Sequence, residues 1–214
     1  RDYYAKNAPI EYERHPLLDQ ITEFKEHLND EAKSVVFMPG SRKGEIKKLL
    51  PIFKEVREKL GVDATIIIPK HFSKEEIKEV YGSLTDFKIA YDAHETLLRA
   101  DFAFICSGTA TLEASLIGIP FVLTYIAKPF DYFIASRLVK LEYIGLANIM
   151  FSKFQNRALH PEFIQKDVNA ANLIKAYETY ERSRFLEDSK ALRAYLKHGS
   201  SKRVAHIIEG RDED

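Results

Sequence analysis

From residue 34 onward, short apolar runs alternate with stretches in which apolar residues recur every three or four positions. Ser34–Pro39 (SVVFMP), Ala64–Pro69 (ATIIIP), Phe87–Tyr91, Asp101–Cys106 (DFAFIC) and Pro120–Tyr125 (PFVLTY) have the length and β-branched or aromatic content of strands. A weaker strand is expected near Gly145–Met150. Between the first two runs, Ile46, Leu49, Leu50, Phe53, Val56 and Leu60 share one helical face, with Lys and Glu between them, and Gly61 ends that helix. Ser73–Tyr81 predicts a second helix, with Ser73 as its N-cap and Glu76 three residues on. His94–Ala100, Thr109–Ile117, Phe130–Val139, Asn169–Glu181 and a long segment from Phe185 to about Glu209 read as further helices. Residues 1–33 look peripheral. They hold Pro9, Pro16 and many charges, and only Leu17, Leu18, Ile21, Phe24 and Leu28 make a helical stripe.

Strands that alternate with helices predict βαβ units and a parallel sheet. The strands are nearly all apolar, as expected when helices cover both faces. Right-handed crossovers then favour a Rossmann-like, doubly wound α/β fold. The expected division is a leading segment (1–33), a Rossmann-like domain (34–182) and a C-terminal helical segment (183–214).

Composition narrows the function classes. The 214 residues are 45% hydrophobic and 30% charged, which excludes a disordered chain. Lys plus Arg is 32 and Asp plus Glu is 32, so the net charge is zero and a general nucleic-acid binder is not expected. A single cysteine excludes a disulfide scaffold and a multi-cysteine zinc site, and it fits a reducing, cytoplasmic compartment. No apolar run reaches the roughly 18 residues of a membrane helix, and no signal peptide is visible. The chain begins at Arg1, as expected of a trimmed product or of one part of a longer protein.

In a doubly wound sheet, ligands bind beyond the carboxyl ends of the strands, where the strand order reverses. With the order 3-2-1-4-5-6, that crevice lies between strands one and four. Strand one runs into Gly40, Ser41 and Arg42; strand four runs into Ser107, Gly108 and Thr109. Gly108 removes a side chain where a helix begins, so backbone N–H groups can approach a phosphate. Ser107, Thr109 and Thr111 add hydroxyls. Arg42 offers a forked cation suited to a diphosphate. Glu113, one turn into the helix, can accept paired hydrogen bonds from a ribose, as the acidic residue of dinucleotide folds does.

Each feature has a simpler reading. Small residues after a strand often serve only as turn and N-cap. A first-turn glutamate is favoured by the helix dipole. A lone arginine is usually a solvated surface residue. The pairing of the two loops at one switch point favours the site. Neither loop is a GxGxxG or a P-loop with its lysine, which disfavours dehydrogenases and phosphate hydrolases. Cys106 is expected to be a buried thiol, and His94-Glu95 an ordinary helix start. The seven histidines show no metal-ligand spacing, so no metal and no cofactor are expected. Lys197, His198, Lys202 and Arg203 are expected on a solvated face. Phe185, Leu192, Tyr195, Leu196, Val204, Ile207 and Ile208 form a stripe that packs on this domain or on a neighbour.

GSRKGEI (Gly40–Ile46), CSGTATLEASLIGIP (Cys106–Pro120), RLVKLEYIGLANI (Arg137–Ile149) and PEFIQKDV (Pro161–Val168) together resemble the lipid-A-disaccharide synthases. HPLLDQI (His15–Ile21) resembles the stretch that opens the second half of that family, and the likeness runs from about residue 9 to 209. The resemblance implies the C-terminal half of a GT-B glycosyltransferase, with two Rossmann-like domains facing across a cleft. It implies transfer of 2,3-diacylglucosamine from its UDP donor to a diacylglucosamine 1-phosphate acceptor. The bond formed is β-1,6, UDP leaves, and no metal takes part.

Carried over residue by residue, Gly40, Ser41 and Arg42 stand near the donor phosphates, and Ser107, Gly108 and Thr109 hold the diphosphate. Glu113 holds the ribose, and Asn148 stands near the donor. The acceptor groove, the membrane-facing surface and the catalytic base are expected in the N-terminal half, so no catalytic residue is assigned and this chain alone is expected to be inactive. The same resemblance places the full-length protein at the cytoplasmic side of the inner membrane.

Three departures stand out: Arg14 in place of a glycine before HPL, Ile126 after Tyr125 where a basic residue is frequent, and Ala147 in place of a proline. Lys128 is a candidate substitute for the missing cation after Tyr125. Two alternatives stay open. One is another GT-B enzyme acting on UDP-GlcNAc-type donors; the other is a non-catalytic nucleotide-binding or dimerisation domain that forms a homodimer through its terminal helix.

Overall fold

The computed structural model describes residues 16–127 and 142–196. After a short helix α1 (Pro16–Gln20), the chain alternates β1 (Ser34–Met38), α2 (Lys43–Leu60), β2 (Asp63–Ile67), α3 (Lys74–Tyr81), β3 (Lys88–Ala90), α4 (Ala93–Arg99), β4 (Phe102–Cys106), α5 (Thr109–Ile117) and β5 (Phe121–Tyr125). Then follow α6 (Leu146–Gln155), β6 (Glu162–Ile164), a 3-10 turn (Gln165–Asp167), α7 (Ala170–Glu178) and α8 (Arg182–Leu196). The strands form one six-stranded sheet in the order β3-β2-β1-β4-β5-β6, and every pairing is parallel. This is the doubly wound sheet expected, with its reversal between β1 and β4.

One expected strand is a helix. Gly145–Met150 opens α6, with Gly145 at the N-cap, and the sixth strand is Glu162–Ile164. The run LANIMF is continuously apolar apart from Asn148, and such a run does not separate a strand from a buried helix by periodicity. What settles it is that Ala147, Asn148 and Phe151 turn inward at helical spacing. The expected helix Asn169–Glu181 is α7, with the Asn169 side chain accepting from the Asn172 N–H at 3.0 Å. The expected helix Phe130–Val139 and the cluster of Lys197, His198, Lys202 and Arg203 lie outside the described residues.

Alternate strand residues feed two cores. Val35, Phe37, Ile66, Phe102, Phe104 and Val122 face α2, α3 and α7, with Phe37 wedged between the rings of Phe53 and Phe104 at centroid distances of 5.4 and 5.3 Å. Val36, Ile67, Ala103, Ile105, Phe121 and Leu123 face α1, α4, α5, α6 and α8. The described part of the terminal stripe joins this second core. Phe185, Leu192 and Leu196 are buried, whereas Tyr195 is 44% exposed and stacks on Phe154. Val204, Ile207 and Ile208 lie outside the described residues.

The described leading segment is also fastened down. Leu18 and Ile21 are core residues. Asp101, buried at the start of β4, accepts from Asn29 Nδ2 (2.6 Å) and from the N–H groups of Lys33 and Ser34 (3.0 and 2.9 Å). Arg193 of α8 donates to the carbonyls of Leu116 and Ile21, which ties α5, α8 and the leading segment together.

Ahead of β6, His160 is fully buried beside Phe121, and its Nε2 has no hydrogen-bond partner. Burial pushes its pKa down from 6.5 to about 4. Between those values the unfolded chain binds a proton that the folded chain refuses. Stability should therefore fall as the pH drops from 6.5 towards 4, by on the order of 3 kcal/mol in full. Denaturant titrations at pH 7 and pH 5 on the wild type and His160→Gln check this. The wild type should lose more stability than the variant, and equal losses would remove His160 as the cause.

Candidate functional site

The first loop starts where β1 ends. Gly40 has φ +114°, a left-handed backbone suited to glycine, and a Cβ there would lie 2.6 Å from Glu45 Oε2 and 3.2 Å from Cys106 Sγ. Gly40 therefore lets the loop after β1 lie against the end of β4. Arg42 is the N-cap residue of α2 in the extended conformation. Glu45, three residues on, reaches back: its Oε2 accepts from the N–H groups of Ser41 and Arg42 at 3.2 and 3.3 Å, and its Oε1 pairs with Arg42 Nη1 at 2.9 Å. The Arg42 side chain is 80% exposed, and the Glu45 carboxylate beside it raises its pKa. Glu45 thus plays the acidic half of a capping box and occupies the amide donors of this loop.

The second loop is left open. Ser107 N–H donates to the Thr124 carbonyl at 3.0 Å, which continues the ladder one residue past β4. Gly108 is the N-cap of α5 with an extended backbone, makes no side-chain cap, and a Cβ on it would meet nothing within 4 Å. No acidic side chain sits in the first turn of α5, whereas α3 and α4 are capped by Ser73 and Asp92. The hydroxyls of Ser107 and Thr109 find no hydrogen-bond partner among the described residues. Thr111, expected to add a third hydroxyl, is buried and donates to the Gly108 carbonyl at 2.8 Å, so it serves the helix instead. Cys106 is buried, and that burial pushes its thiol up to about 12, which leaves it inert.

The loops are neighbours because Met38 pairs with Ile105 across β1 and β4. α2 covers one face of the sheet and α5 the other. Lys48 of α2 spans the same edge, donating to the carbonyls of Ile126 and Ala127 at 3.3 and 2.7 Å. A cation of α2 thereby fastens the chain after Tyr125; Lys128, the candidate substitute for a basic residue there, lies outside the described residues.

Glu113 lies one turn into α5 and is a quarter exposed. Its Oε1 faces His94 Nδ1 at 3.3 Å, and His94 Nε2 meets Glu23 Oε2 at the same distance. His94 was expected to be an ordinary helix start. It does sit in the first turn of α4, but its ring also bridges two carboxylates.

Asn148 is placed unlike the other candidates. It is fully buried, and its amide is used within the protein. Nδ2 donates to the His160 carbonyl (2.9 Å) and Glu162 Oε1 (2.7 Å), and Oδ1 accepts from the N–H groups of Leu159 and His160 (2.7 and 3.0 Å). Glu162 in turn accepts from Ile144 and Gly145 N–H at 2.8 and 2.9 Å. Asn148 and Glu162 together clamp the start of α6 onto β6.

Sequence reasoning missed Glu45, His94, Lys48 and Glu162. Only Glu45 carried a signal, its spacing of three residues from Arg42. A cavity of about 840 Å³ lies away from the crevice, lined among others by His160, Glu162, Tyr180 and Asp188. Among the described residues, no group of three His, Cys, Asp or Glu could hold a metal, and no helix is long and apolar enough to cross a membrane.

Comparison with known proteins places relatives on this geometry. The family model for lipid-A-disaccharide synthetase matches residues 1–208. The lipid-A-disaccharide synthase of Helicobacter pylori (strain ATCC 700392 / 26695) is 46% identical over 217 residues, covering 95% of this chain and 59% of the relative. That of Campylobacter jejuni (strain RM1221) is 48% identical over 205 residues, covering 92% of this chain and 56% of the relative. The chain therefore spans under two thirds of these relatives. Among solved structures, Acinetobacter baumannii MurG superposes with a TM-score of 0.52 at 16% identity, over 85% of this chain and 50% of that one. The glycosyltransferase of kitacinnamycin gives 0.50 at 19% identity, over 87% and 44%. At such identities these two speak for the fold alone, a Rossmann-like α/β domain with a parallel sheet.

Proposed function

The chain belongs to the lipid-A-disaccharide synthetase family, and from that premise we propose that it is the donor-binding half of a lipid-A-disaccharide synthase. The donor is UDP-2,3-diacylglucosamine, the acceptor is a diacylglucosamine 1-phosphate, and the product carries a β-1,6 bond formed with inversion as UDP leaves. The observation that carries this reading is the open start of α5. It is a helix N-terminus with no side-chain cap and no first-turn acid, next to the Arg42 loop at the strand-order reversal.

The chemistry asked of such a half is leaving-group stabilisation. Negative charge grows on the β-phosphate as the glycosidic bond to UDP breaks. The N–H groups at the α5 start and its dipole meet that charge, with the Ser107 and Thr109 hydroxyls beside them. Gly108 needs neither a left-handed backbone nor space from protein neighbours. Its missing side chain is best explained by a ligand that approaches the backbone. Arg42 exchanges Glu45 for the diphosphate, and Glu113 takes the ribose diol. Asn148 acts on the donor indirectly, by fixing α6 against β6. An inverting transfer also needs a base for the acceptor hydroxyl, and that base belongs to the half this chain does not span. The acceptor, the membrane surface and any homodimer are met by the full-length protein.

Calorimetric titration of this chain with UDP tests the reading. Binding is expected, and Gly108→Ala should weaken it about tenfold while shifting the melting temperature by no more than about 3 °C, the scale of a Gly-to-Ala change at an N-cap. A folded sample that takes up no UDP overturns the proposal.

A further inference from the structure

The crevice explains Arg42 and the α5 start, but not why a histidine from α4 stands behind Glu113. A glutamate side chain has three rotatable bonds, and one that must meet two ribose hydroxyls loses that freedom on binding. His94 removes part of it beforehand. The imidazole carries its two nitrogens on a rigid ring. Nδ1 faces Glu113 Oε1 at 3.3 Å, and Nε2 faces Glu23 Oε2 at 3.3 Å. His94 sits in the first turn of α4, which is capped by Asp92 accepting from the Glu95 N–H at 3.0 Å. Glu23 is held in turn by the Thr22 hydroxyl at 3.0 Å. Glu113 Oε2 meets no donor among the described residues, so one carboxylate oxygen lies against the His94 ring and the other is available.

We propose that His94 is a positioning residue, which uses Glu23 as an anchor to hold the Glu113 carboxylate in the orientation that accepts the ribose hydroxyls of a uridine nucleotide. This rests on the reading that Glu113 takes the ribose. Glu23 belongs to the leading segment, which hydrogen-bonds back to α5 from Lys25 N–H to the Ile117 carbonyl at 2.8 Å. A short ordered path therefore joins that segment to the nucleotide site.

The test compares UDP with 2′,3′-dideoxy-UDP by calorimetry, on the full chain and three variants. A paired hydrogen bond to a charged acceptor should give the wild type a preference of about thirtyfold for UDP. Glu113→Ala should bring that preference close to one. His94→Leu should cut it below about fivefold while binding of the dideoxy nucleotide stays the same, and His94→Gln, which keeps one donor for Glu113, should restore most of it. A merely structural role would weaken both nucleotides together and leave their ratio intact, and that result overturns the positioning role. An unchanged ratio in His94→Leu with a collapsed one in Glu113→Ala also overturns it, while leaving Glu113 on the ribose. An unchanged ratio in Glu113→Ala overturns both.

Discussion

Arg42→Ala is expected to weaken UDP binding by about thirtyfold and to leave the melting temperature unchanged. The direction follows from where the side chain stands. It is 80% exposed and, among the described residues, its one ion pair is with Glu45, so the described fold does not depend on it. A guanidinium offers two parallel donors to a diphosphate, and such charge-assisted pairs are among the strong hydrogen bonds. Arg42→Lys keeps the charge but loses the fork, so it should fall between the two. The exchange of Glu45 for phosphate adds a second signature. Glu45→Ala frees the arginine and the Ser41 and Arg42 amides, so UDP should bind more tightly than to the wild type, at some cost in α2 stability. Calorimetry with a parallel thermal melt reads all of this. An Arg42→Ala protein that binds UDP normally would remove the arginine from the site.

Asn148→Ala is expected to destabilise the fold by about 3–5 kcal/mol, which for a chain of this size lowers the melting temperature by roughly 10 °C. Four hydrogen bonds disappear at once in a buried place. They leave behind the N–H groups of Leu159 and His160, which have lost their acceptor, and a Glu162 carboxylate with one donor fewer. Unpaired buried donors cost more than the bonds themselves contribute. Below its own melting temperature the variant should still bind UDP with near-native affinity, because no polar atom of Asn148 is left over for a ligand. A thermal melt followed by titration at low temperature separates the two effects. A stable variant that has lost UDP binding would make Asn148 a direct donor contact instead.

Much of the fold was legible along the chain because its signals are local. The apolar runs SVVFM, ATIII, FAFIC and PFVLT are short and rich in β-branched and aromatic residues, which marks them as strands covered on both faces. Ser73 with Glu76, and Gly61 after Leu60, mark helix ends by hydrogen bonds within a few residues. Handedness favoured a doubly wound sheet, and the common 3-2-1-4-5-6 order of such sheets put the reversal at Gly40–Arg42 and Ser107–Thr109. Gly145–Met150 was misread because an apolar run of that length fits a buried strand and a buried helix equally well. Its true state depends on Glu162, which lies beyond it in the chain and accepts from Ile144 and Gly145.

The site divides along the same line. Small residues at strand ends, the glycine at a helix start and the acid one turn later are features of single segments, and the amino-acid order alone determined them, together with the sheet they decorate and the family that shares them. Tertiary structure decided which of these groups are spoken for. Glu45 holds Arg42, His94 stands behind Glu113, Lys48 fastens the chain after Tyr125, and Asn148 is consumed by the turn before β6. A side chain's partner is set by which elements the fold brings within about 3 Å, and a periodicity that names the buried face of a helix carries no information about which polar atom waits on the other side.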